Sequence, residues 1–360
     1  MDKIAGEKTK PHSRMQSLEC FRLIASMLVV FIHCEGSGEF GSIMNCLARV
    51  AVPFFFIVSG YFLYEAKEKT VRKRFWSVLK LNVIAHLLYV LWNGYQNGIA
   101  DLGDLVEWVL AQCSSYTMTV LLLLSRSSIG IHLWYLNAMV FSYAVIWLYI
   151  RWAEGEKCSY RPLYIIGICL CVIHIVLGSF GIVCGFEIPS RLYRNALLFG
   201  LPMFSLGIFL HENYRKILRV YQLSKVKLVL LVFAGACLSI IQWKGTGEVE
   251  MPVGTLLEVV ALMLLLVSVP MVSDSVWISR IISTFGTLST YVYITHLIWA
   301  DVYLKYFKRY ALSLGESTEA FLYPFFVIGI TLATGISYLC VRFVLNWVCG
   351  KIRDAYRKNC

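Results

Sequence analysis

Long apolar stretches recur along the whole chain, and this pattern limits the possible folds more than any other feature. Each stretch has about 17 to 25 residues, enough for a helix to cross a hydrocarbon core of roughly 30 Å. Of the 360 residues, 58% are hydrophobic and 15% are charged, whereas a soluble domain carries about 25% charged residues. The sequence therefore predicts an all-α, polytopic membrane protein and argues against a water-soluble fold.

Charged or glycine-containing breaks divide the apolar sequence into about ten predicted transmembrane helices. They cover residues 18–35, 45–64, 77–93, 130–150, 163–184, 195–212, 226–243, 254–272, 286–306 and 321–346. The segment 105–124 has a polar middle, and we expect an amphipathic or re-entrant element there on the outer side. The predicted domains are an N-terminal tail at 1–17, a transmembrane domain at 18–346 and a C-terminal tail at 347–360.

The distribution of basic residues predicts the orientation of these helices. Most of the 33 Lys and Arg residues fall in the tails and in alternate loops on the same side as the N-terminus, and such clusters mark cytoplasmic segments. Both termini are therefore expected in the cytoplasm. The formal charge of +11 is spread over short clusters and does not form one continuous face, so the lipid bilayer and not a nucleic acid is the expected partner.

The sequence contains no recognisable metal or cofactor motif. Twelve cysteines are present, without a C-x-x-C pair or a His/Cys cluster at zinc spacing, and we expect them to be small buried residues with no structural metal or disulfide framework. P-loop, dinucleotide-binding, nucleophile-elbow and H-E-x-x-H motifs do not occur either. No bound cofactor is expected.

Two ionisable residues, Arg22 and His33, lie in the first predicted span, SLECFRLIASMLVVFIHCE. Their separation of eleven positions is close to three helical turns, so both project from one face, roughly 16 Å apart along the axis. Such residues are costly in a membrane helix and by default indicate a functional site. The alternative is that Arg22 reaches the inner headgroups while His33 caps the span at the outer interface.

Several stretches of the chain together resemble one known family. They are the Arg22-to-His33 spacing, LARVAVPFFFIVSGYFLY at 47–64, IHLWYLNAMV at 131–140, LPMFSLGIFL at 201–210 and LSTYVYITHLI at 288–298. In this order they are similar to elements of integral-membrane acyltransferase family 3, which includes bacterial sugar and peptidoglycan O-acetyltransferases. The resemblance extends from about residue 15 to residue 346 and includes the Ser-Gly-Tyr element at 59–61.

The resemblance implies the transfer of an acyl group, in particular acetyl, from cytoplasmic acyl-CoA to a hydroxyl of an extracytoplasmic glycan or similar acceptor. It also implies a multi-pass protein of the bacterial cytoplasmic membrane. His33 would be the catalytic residue, as general base toward the acceptor hydroxyl, because imidazole titrates near neutral pH. Arg22 would be its companion, steadying the thioester end of the donor or its phosphates.

A basic run, KEKTVRKRFWSVLK at 67–80, follows the second predicted span. The family also places basic residues here, and they are thought to meet the phosphates of CoA. Arg72, Lys73 and Arg74 are therefore candidate donor-binding residues, since phosphate recognition needs dense cationic donors. A positive-inside anchor explains the same cluster.

Further polar and aromatic residues are expected near His33. Glu35 is the candidate carboxylate for orienting the imidazole, by analogy with catalytic triads, and it is equally compatible with a solvated loop. His132, Trp134 and Tyr135 resemble a family element and are candidate substrate-binding residues, although an interfacial aromatic belt also explains Trp134. His296 lies in the middle of a span, where it either lines the substrate path or hydrogen-bonds a neighbouring helix.

A transporter is the alternative function. Membrane modules of this family also occur fused to amino-acid racemases, with an implied role in the transport of a small amino acid, but no racemase domain is expected in the residues after 346 of this sequence. Ser59 is expected to serve close helix packing and not to act as a nucleophile. Under either interpretation a homodimer is compatible with the sequence, and the acceptor stays open.

Overall fold

The computed structural model describes residues 15–36, 38–112, 125–153, 159–186, 188–269, 273 and 275–359. Every regular element in these ranges is helical. The helices are α1 (Gln16–His33), α2 (Gly38–Ala48), α3 (Ala51–Tyr61), α4 (Glu68–Gln96), α5 (Leu102–Gln112), α6 (Trp134–Trp152), α7 (Arg161–Ile175), α8 (Leu201–Val220), α9 (Lys225–Thr246), α10 (Val253–Ser268), α11 (Val276–Tyr306), α12 (Lys308–Ser313) and α13 (Glu316–Asn359). Short 3₁₀ and π-helical turns extend three of them: Ile131–Leu133 precedes α6, Val176–Phe180 follows α7, and Ala196–Gly200 precedes α8.

Within these ranges, nine helical stretches are long and apolar enough to cross a membrane. The second of them joins α2 and α3 into Gly38–Tyr61. The predicted polytopic all-α fold is thus confirmed. The predicted span at 254–272 corresponds to α10, whose 16 residues reach only about 24 Å, shorter than a typical hydrocarbon core. The count is ten when this short apolar helix is included.

Two parts of the sequence prediction concern segments at the edges of the described structure. Within 105–124, α5 extends to Gln112 and buries none of its side chains, as an amphipathic element on a surface would, while 113–124 lie outside the described residues. Helix α13 continues through residue 347 to Asn359. The predicted beginning of the C-terminal tail therefore lies within a helix.

Helix α1 lies inside the bundle. It runs alongside α11 and is also bordered by α2, α3, α10 and α13. Hydrogen bonds attach it at its N-terminal half, where Ser17 donates to the carbonyl of Leu266 over 2.8 Å and Ser289 of α11 donates to the carbonyl of Arg22 over 3.0 Å. We call the two ends of the bundle the Arg22 end and the His33 end. Five neighbouring helices thus border α1, although Ile24 is exposed between them.

Glycines let α3 and α8 approach each other at the backbone. A Cβ atom at Gly60 would lie 2.0 Å from the carbonyl oxygen of Phe204, and one at Gly207 would lie 2.1 Å from that of Ile57. Ser59 donates to the carbonyl of Phe55 in its own helix over 2.8 Å. The structure thus confirms that the Ser59–Gly60 element serves helix packing.

The expectation that the cysteines are buried is only partly correct. All nine cysteines in the described ranges are free thiols, and only Cys34 and Cys46 are buried. Cys169, Cys237 and Cys340 are exposed on the surfaces of their helices. Because lipid is as apolar as the interior of the bundle, a thiol is tolerated on either side of a membrane helix.

Candidate functional site

Three histidines from different helices meet at the His33 end, and we call them the histidine cluster. They are His33 at the last position of α1, His132 in the turn that precedes α6, and His296 in α11. The ring centroids are 5.3 Å apart for His33 and His296, 6.3 Å for His33 and His132, and 5.2 Å for His132 and His296. The His33 ring is therefore turned toward the bundle, and the interpretation of His33 as a simple interfacial cap is wrong.

Tyrosines hold the histidine cluster in place. The hydroxyl of Tyr293 donates to the backbone carbonyl of His132 over 2.6 Å, which ties the turn before α6 to α11. The hydroxyl of Tyr89, in α4, donates to the carbonyl of Ile294 over 2.8 Å, and its ring lies 4.7 Å from the His132 ring. These bonds satisfy polar groups that would be costly inside an apolar bundle. They also fix α4, α6 and α11 relative to one another.

The ring nitrogens of the cluster are incompletely paired. Nδ1 of His296 lies 2.8 Å from the carbonyl oxygen of Tyr293, and because a carbonyl only accepts, this nitrogen carries the hydrogen and donates it. Nε2 of His296 and both ring nitrogens of His132 are buried without a partner. His33 is half-buried. Buried unpaired polar atoms are uncommon and frequently indicate a catalytic or binding role.

Among the described residues, no group of three or more His, Cys, Asp and Glu side chains has an arrangement that could hold a metal ion. We interpret the three imidazoles from their own hydrogen-bonding groups, as proton donors and acceptors. One neutral imidazole offers one donor and one acceptor. A cluster of three can exchange protons with a substrate hydroxyl and with each other.

Arg22, toward the other end of α1, has a charged and an aromatic neighbour. Its guanidinium is 3.1 Å from a carboxylate oxygen of Glu19, one turn earlier, and 5.8 Å from the centroid of the Phe62 ring. The second oxygen of Glu19 lies against Gly286 of α11, where a Cβ atom would come within 2.7 Å of it. Glu19 was not among the predicted site residues. The signal was available, because it is an acidic residue in the same apolar run, three positions before an arginine.

A groove of about 600 Å³ extends from this ion pair along α11. It begins at Glu19 and Arg22 and reaches Ile294 and Thr295, and Thr295 directly precedes His296 in the chain. Its lining includes Leu81, Ile84, Leu88, Ser283, Gly286, Thr287, Thr290, Tyr291 and Tyr338. From residue 283 to residue 295, α11 rises about 18 Å. The groove thus extends from Arg22 along α11 to the helical turn that carries His296, although no histidine of the cluster is among its lining residues.

Glu35 does not support His33 in this structure. Its carboxylate accepts a hydrogen bond from the side-chain amide of Asn45 over 2.9 Å, and the residue is exposed. The same amide donates to Glu248 over 3.1 Å. The expectation that Glu35 orients the imidazole is therefore corrected: it lies two residues past the last residue of α1, and its carboxylate joins the loop after α1 to Asn45 of α2.

A charged network, which includes Glu35 at its edge, lies at the His33 end. One oxygen of Glu250 accepts from Arg49 over 3.3 Å and from Arg194 over 3.2 Å. The Arg194 guanidinium also lies 5.4 Å from the centroid of the Trp134 ring. Arg194 and Glu250 lie in loops between helices, and nothing in the sequence pattern pairs two loop residues 56 positions apart.

Trp134 and Tyr135, in the first turn of α6, face the interior of the bundle. Trp134 is only 6% exposed, so the interpretation of Trp134 as part of an interfacial aromatic belt is wrong. The Tyr135 ring lies 4.9 Å from that of Phe56 in α3 and 5.2 Å from that of Tyr293 in α11. Both residues thus lie in the wall between the histidine cluster and α3. Whether they bind substrate stays a prediction.

The three candidate residues in the basic run at the beginning of α4 differ in exposure and in hydrogen bonding. Arg72 and Lys73 are exposed, whereas Arg74 is half-buried and donates to the carbonyl of Phe62 over 2.9 Å. Two of the three predicted donor-binding residues are therefore free to meet a phosphate. The third one attaches α4 to the end of α3.

Comparison with known proteins places the chain in a family. A family model of an acyltransferase domain matches residues 15–342. The chain therefore belongs to acyltransferase family 3 and is a multi-pass membrane acyltransferase. No solved structure matches it.

Curated relatives cover only part of the chain. An amino-acid racemase of Enterococcus faecalis is 28% identical over 233 residues, which are 57% of this chain and 30% of the racemase. A serine/alanine racemase of Enterococcus gallinarum is 30% identical over 141 residues, which are 35% of this chain and 18% of that protein. This chain thus spans less than a third of the length of these relatives, and their activities are not transferred to it.

Proposed function

We propose that the protein is an O-acyltransferase that moves an acyl group, in particular acetyl, from cytoplasmic acyl-CoA to a hydroxyl of an extracytoplasmic glycan or similar acceptor. The bacterial cytoplasmic membrane is its proposed location, with the Arg22 end facing the cytoplasm. One observation carries the proposal: His33 faces the interior of the bundle, and a groove extends from Arg22, three turns away, to the residue beside His296.

In this proposal His33 acts as the general base. An unprotonated nitrogen of its ring takes the proton of the acceptor hydroxyl while the hydroxyl oxygen attacks the thioester carbonyl carbon. The C–O bond forms, the C–S bond breaks, and the leaving thiolate of CoA receives the proton from the imidazolium. A positioned imidazole contributes roughly 10² to 10⁴-fold to such a step.

Donor binding is assigned to the Arg22 end. The exposed side chains of Arg72 and Lys73 suit the phosphates of CoA, because phosphate recognition uses charge-assisted hydrogen bonds. Both residues are in α4, the helix that also lines the groove through Leu81, Ile84 and Leu88. The pantetheine arm would follow this groove toward the histidine cluster. Arg22, held by Glu19, would donate hydrogen bonds to the phosphates or the pantetheine amide oxygens of the donor while the thioester lies at His33.

A transporter is the second candidate function, because the two curated relatives are racemases. A serine/alanine racemase acts, by its name, on small amino acids, and the same groove, whose mainly apolar lining includes Glu19 and Arg22, would serve the passage of such a molecule. The two functions differ in one measurable respect, since a transporter consumes no thioester.

The test uses the full chain in proteoliposomes, with labelled acetyl-CoA and a mixture of soluble muropeptides and N-acetylhexosamine oligosaccharides on both sides. We expect label on the oligosaccharides with the wild type and a loss of at least about 10²-fold with His33→Gln. Arg22→Gln is expected to lose transfer as well. His174→Gln is the matched control, because His174 is also a buried membrane histidine but belongs to α7, where its Nδ1 bonds the carbonyl of Tyr193 over 3.1 Å.

Two outcomes would contradict the proposal. One is thioester consumption that survives in His33→Gln to the same extent as in the control. The other is uptake of labelled serine or alanine by the wild type with no release of free CoA, which would favour the transporter.

A further inference from the structure

His296 has the properties of a fixed hydrogen-bond acceptor inside the bundle. It is fully buried in α11, and its Nδ1 is engaged by its own helix at the carbonyls of Tyr293 and Val292, at 2.8 and 3.2 Å. Because both partners only accept, the hydrogen of the neutral ring is held on Nδ1. Nε2 is therefore left with a lone pair and no hydrogen, and it has no partner among the described residues.

The His33 ring lies close enough to His296 to donate a hydrogen bond to this Nε2. An N–H···N hydrogen bond of about 2.9 Å between two imidazoles, added to the distances from each nitrogen to its ring centre, gives a centroid separation of about 5 Å. The observed separation is 5.3 Å, with an angle of 37° between the ring planes. Turning the His33 ring within its half-buried site completes the bond.

His132 is at a similar distance from His296 and is the competing donor. Its ring is 5.2 Å away and stands at 77° to that of His296. An N–H···N bond can form at any twist between the two ring planes, so distance and angle do not choose between the two donors, and accessibility does. His132 is also fully buried, whereas His33 is half-buried and can meet a substrate.

We propose that His296 is the positioning residue for His33: its Nε2 accepts the N–H of the His33 ring and leaves the other His33 nitrogen as the base. His296 thus takes the part that a carboxylate takes in a catalytic triad. A neutral acceptor suits this place, because a second buried charge in the membrane interior would be costly. The catalytic consequence rests on the proposed acyl transfer, whereas the hydrogen bond itself does not.

The decisive measurement is the tautomer of His33. Full-length protein carrying ¹⁵N in its histidine rings is placed in lipid bilayers, and solid-state NMR distinguishes protonated from unprotonated ring nitrogens. We expect one neutral tautomer for His33 in the wild type and a mixture of both in His296→Leu, which fills similar space but accepts no hydrogen bond. His296→Gln, whose amide oxygen can accept, is expected to restore the single tautomer. His132→Leu is expected to leave it unchanged.

The kinetic readout is separate from the spectroscopic one. In the transfer assay we expect His296→Leu to lower kcat by about 10² to 10⁴-fold with little change in the KM for acetyl-CoA, and His296→Gln to recover most of the loss. An unchanged His33 tautomer in His296→Leu overturns the proposal whatever the activity. A mixed tautomer in His132→Leu also overturns it, since His132 would then be the partner. A wild type without transfer but with the expected tautomers would count against the proposed function alone.

Discussion

Replacing Gly60 with alanine tests how strongly the site depends on the backbone contact between α3 and α8. The new Cβ would lie 2.0 Å from the carbonyl oxygen of Phe204, where ordinary contacts begin at 3.4 Å. The two helices must therefore separate by about 1.4 Å at this point, the difference between those distances. Backbone lies on both sides of the contact, so rotation of a side chain cannot relieve it.

The cost of this separation should be at the upper end of the range for overpacked cores, about 3 kcal/mol or more. The neighbours of Gly60 have no space to accommodate the change, because Phe56 and Phe204 are fully buried and their rings lie 6.2 Å apart. Phe56 also contacts Tyr135 beside the histidine cluster. We therefore expect Gly60→Ala to lower both the melting temperature and the rate of acyl transfer.

Thermal unfolding of the purified protein in detergent, followed by size-exclusion chromatography of heated samples, measures the effect. Gly329→Ala is the matched control: it is also a glycine-to-alanine change inside a helix, but nothing lies within 4 Å of the new Cβ. The control should be neutral or slightly stabilising, since alanine favours helix by up to about 1 kcal/mol over glycine. If Gly60→Ala melts at the same temperature as Gly329→Ala, the interpretation of this contact is refuted.

Two further predictions concern charged residues at the two ends of the bundle. Glu250→Gln should destabilise the protein by about 1 to 3 kcal/mol in thermal unfolding, because two guanidiniums lose the charge of a carboxylate that is 11% exposed. Glu248→Gln, at 63% exposure, should cost less than about 1 kcal/mol, and equal effects would contradict the assignment. In the transfer assay, the double change Arg72→Gln with Lys73→Gln should raise the KM for acetyl-CoA severalfold at unchanged kcat, since both side chains are exposed. Arg74→Gln should instead lower the melting temperature. A KM effect confined to Arg74→Gln would reverse these roles.

The arrangement around α1 suggests how one bundle can serve substrates from two sides of a membrane. The groove begins at the Glu19–Arg22 ion pair, while the Arg49–Glu250–Arg194 network lies at the opposite end of the helix. Between them lies the histidine cluster, enclosed by tyrosines. In the proposed function, donor and acceptor therefore meet at a site where bulk water is restricted, which favours transfer over hydrolysis of the thioester.

Sequence alone predicted the membrane class and the positions of the helices. Whether a segment partitions into lipid depends on the summed hydrophobicity of about 20 consecutive residues, which is a local property. For the same reason the shared face of Arg22 and His33 was predictable: eleven positions within one helix fix their relative direction. Glu19 belongs to the same class of local information, because it lies one helical turn before Arg22 in the same apolar run.

The tertiary structure decided which side chains meet. Glu35 is two residues from His33 in sequence, yet its carboxylate bonds Asn45, whereas the His33 ring lies among imidazoles from residues 132 and 296. Trp134 has the composition of a belt residue and is buried. Such contacts depend on how each helix is rotated about its axis and packed against its neighbours. Many rotations of a helix about its axis bury a similar apolar area, either in lipid or in protein, so hydrophobicity along the chain cannot distinguish them. The packing of the whole bundle selects one of them.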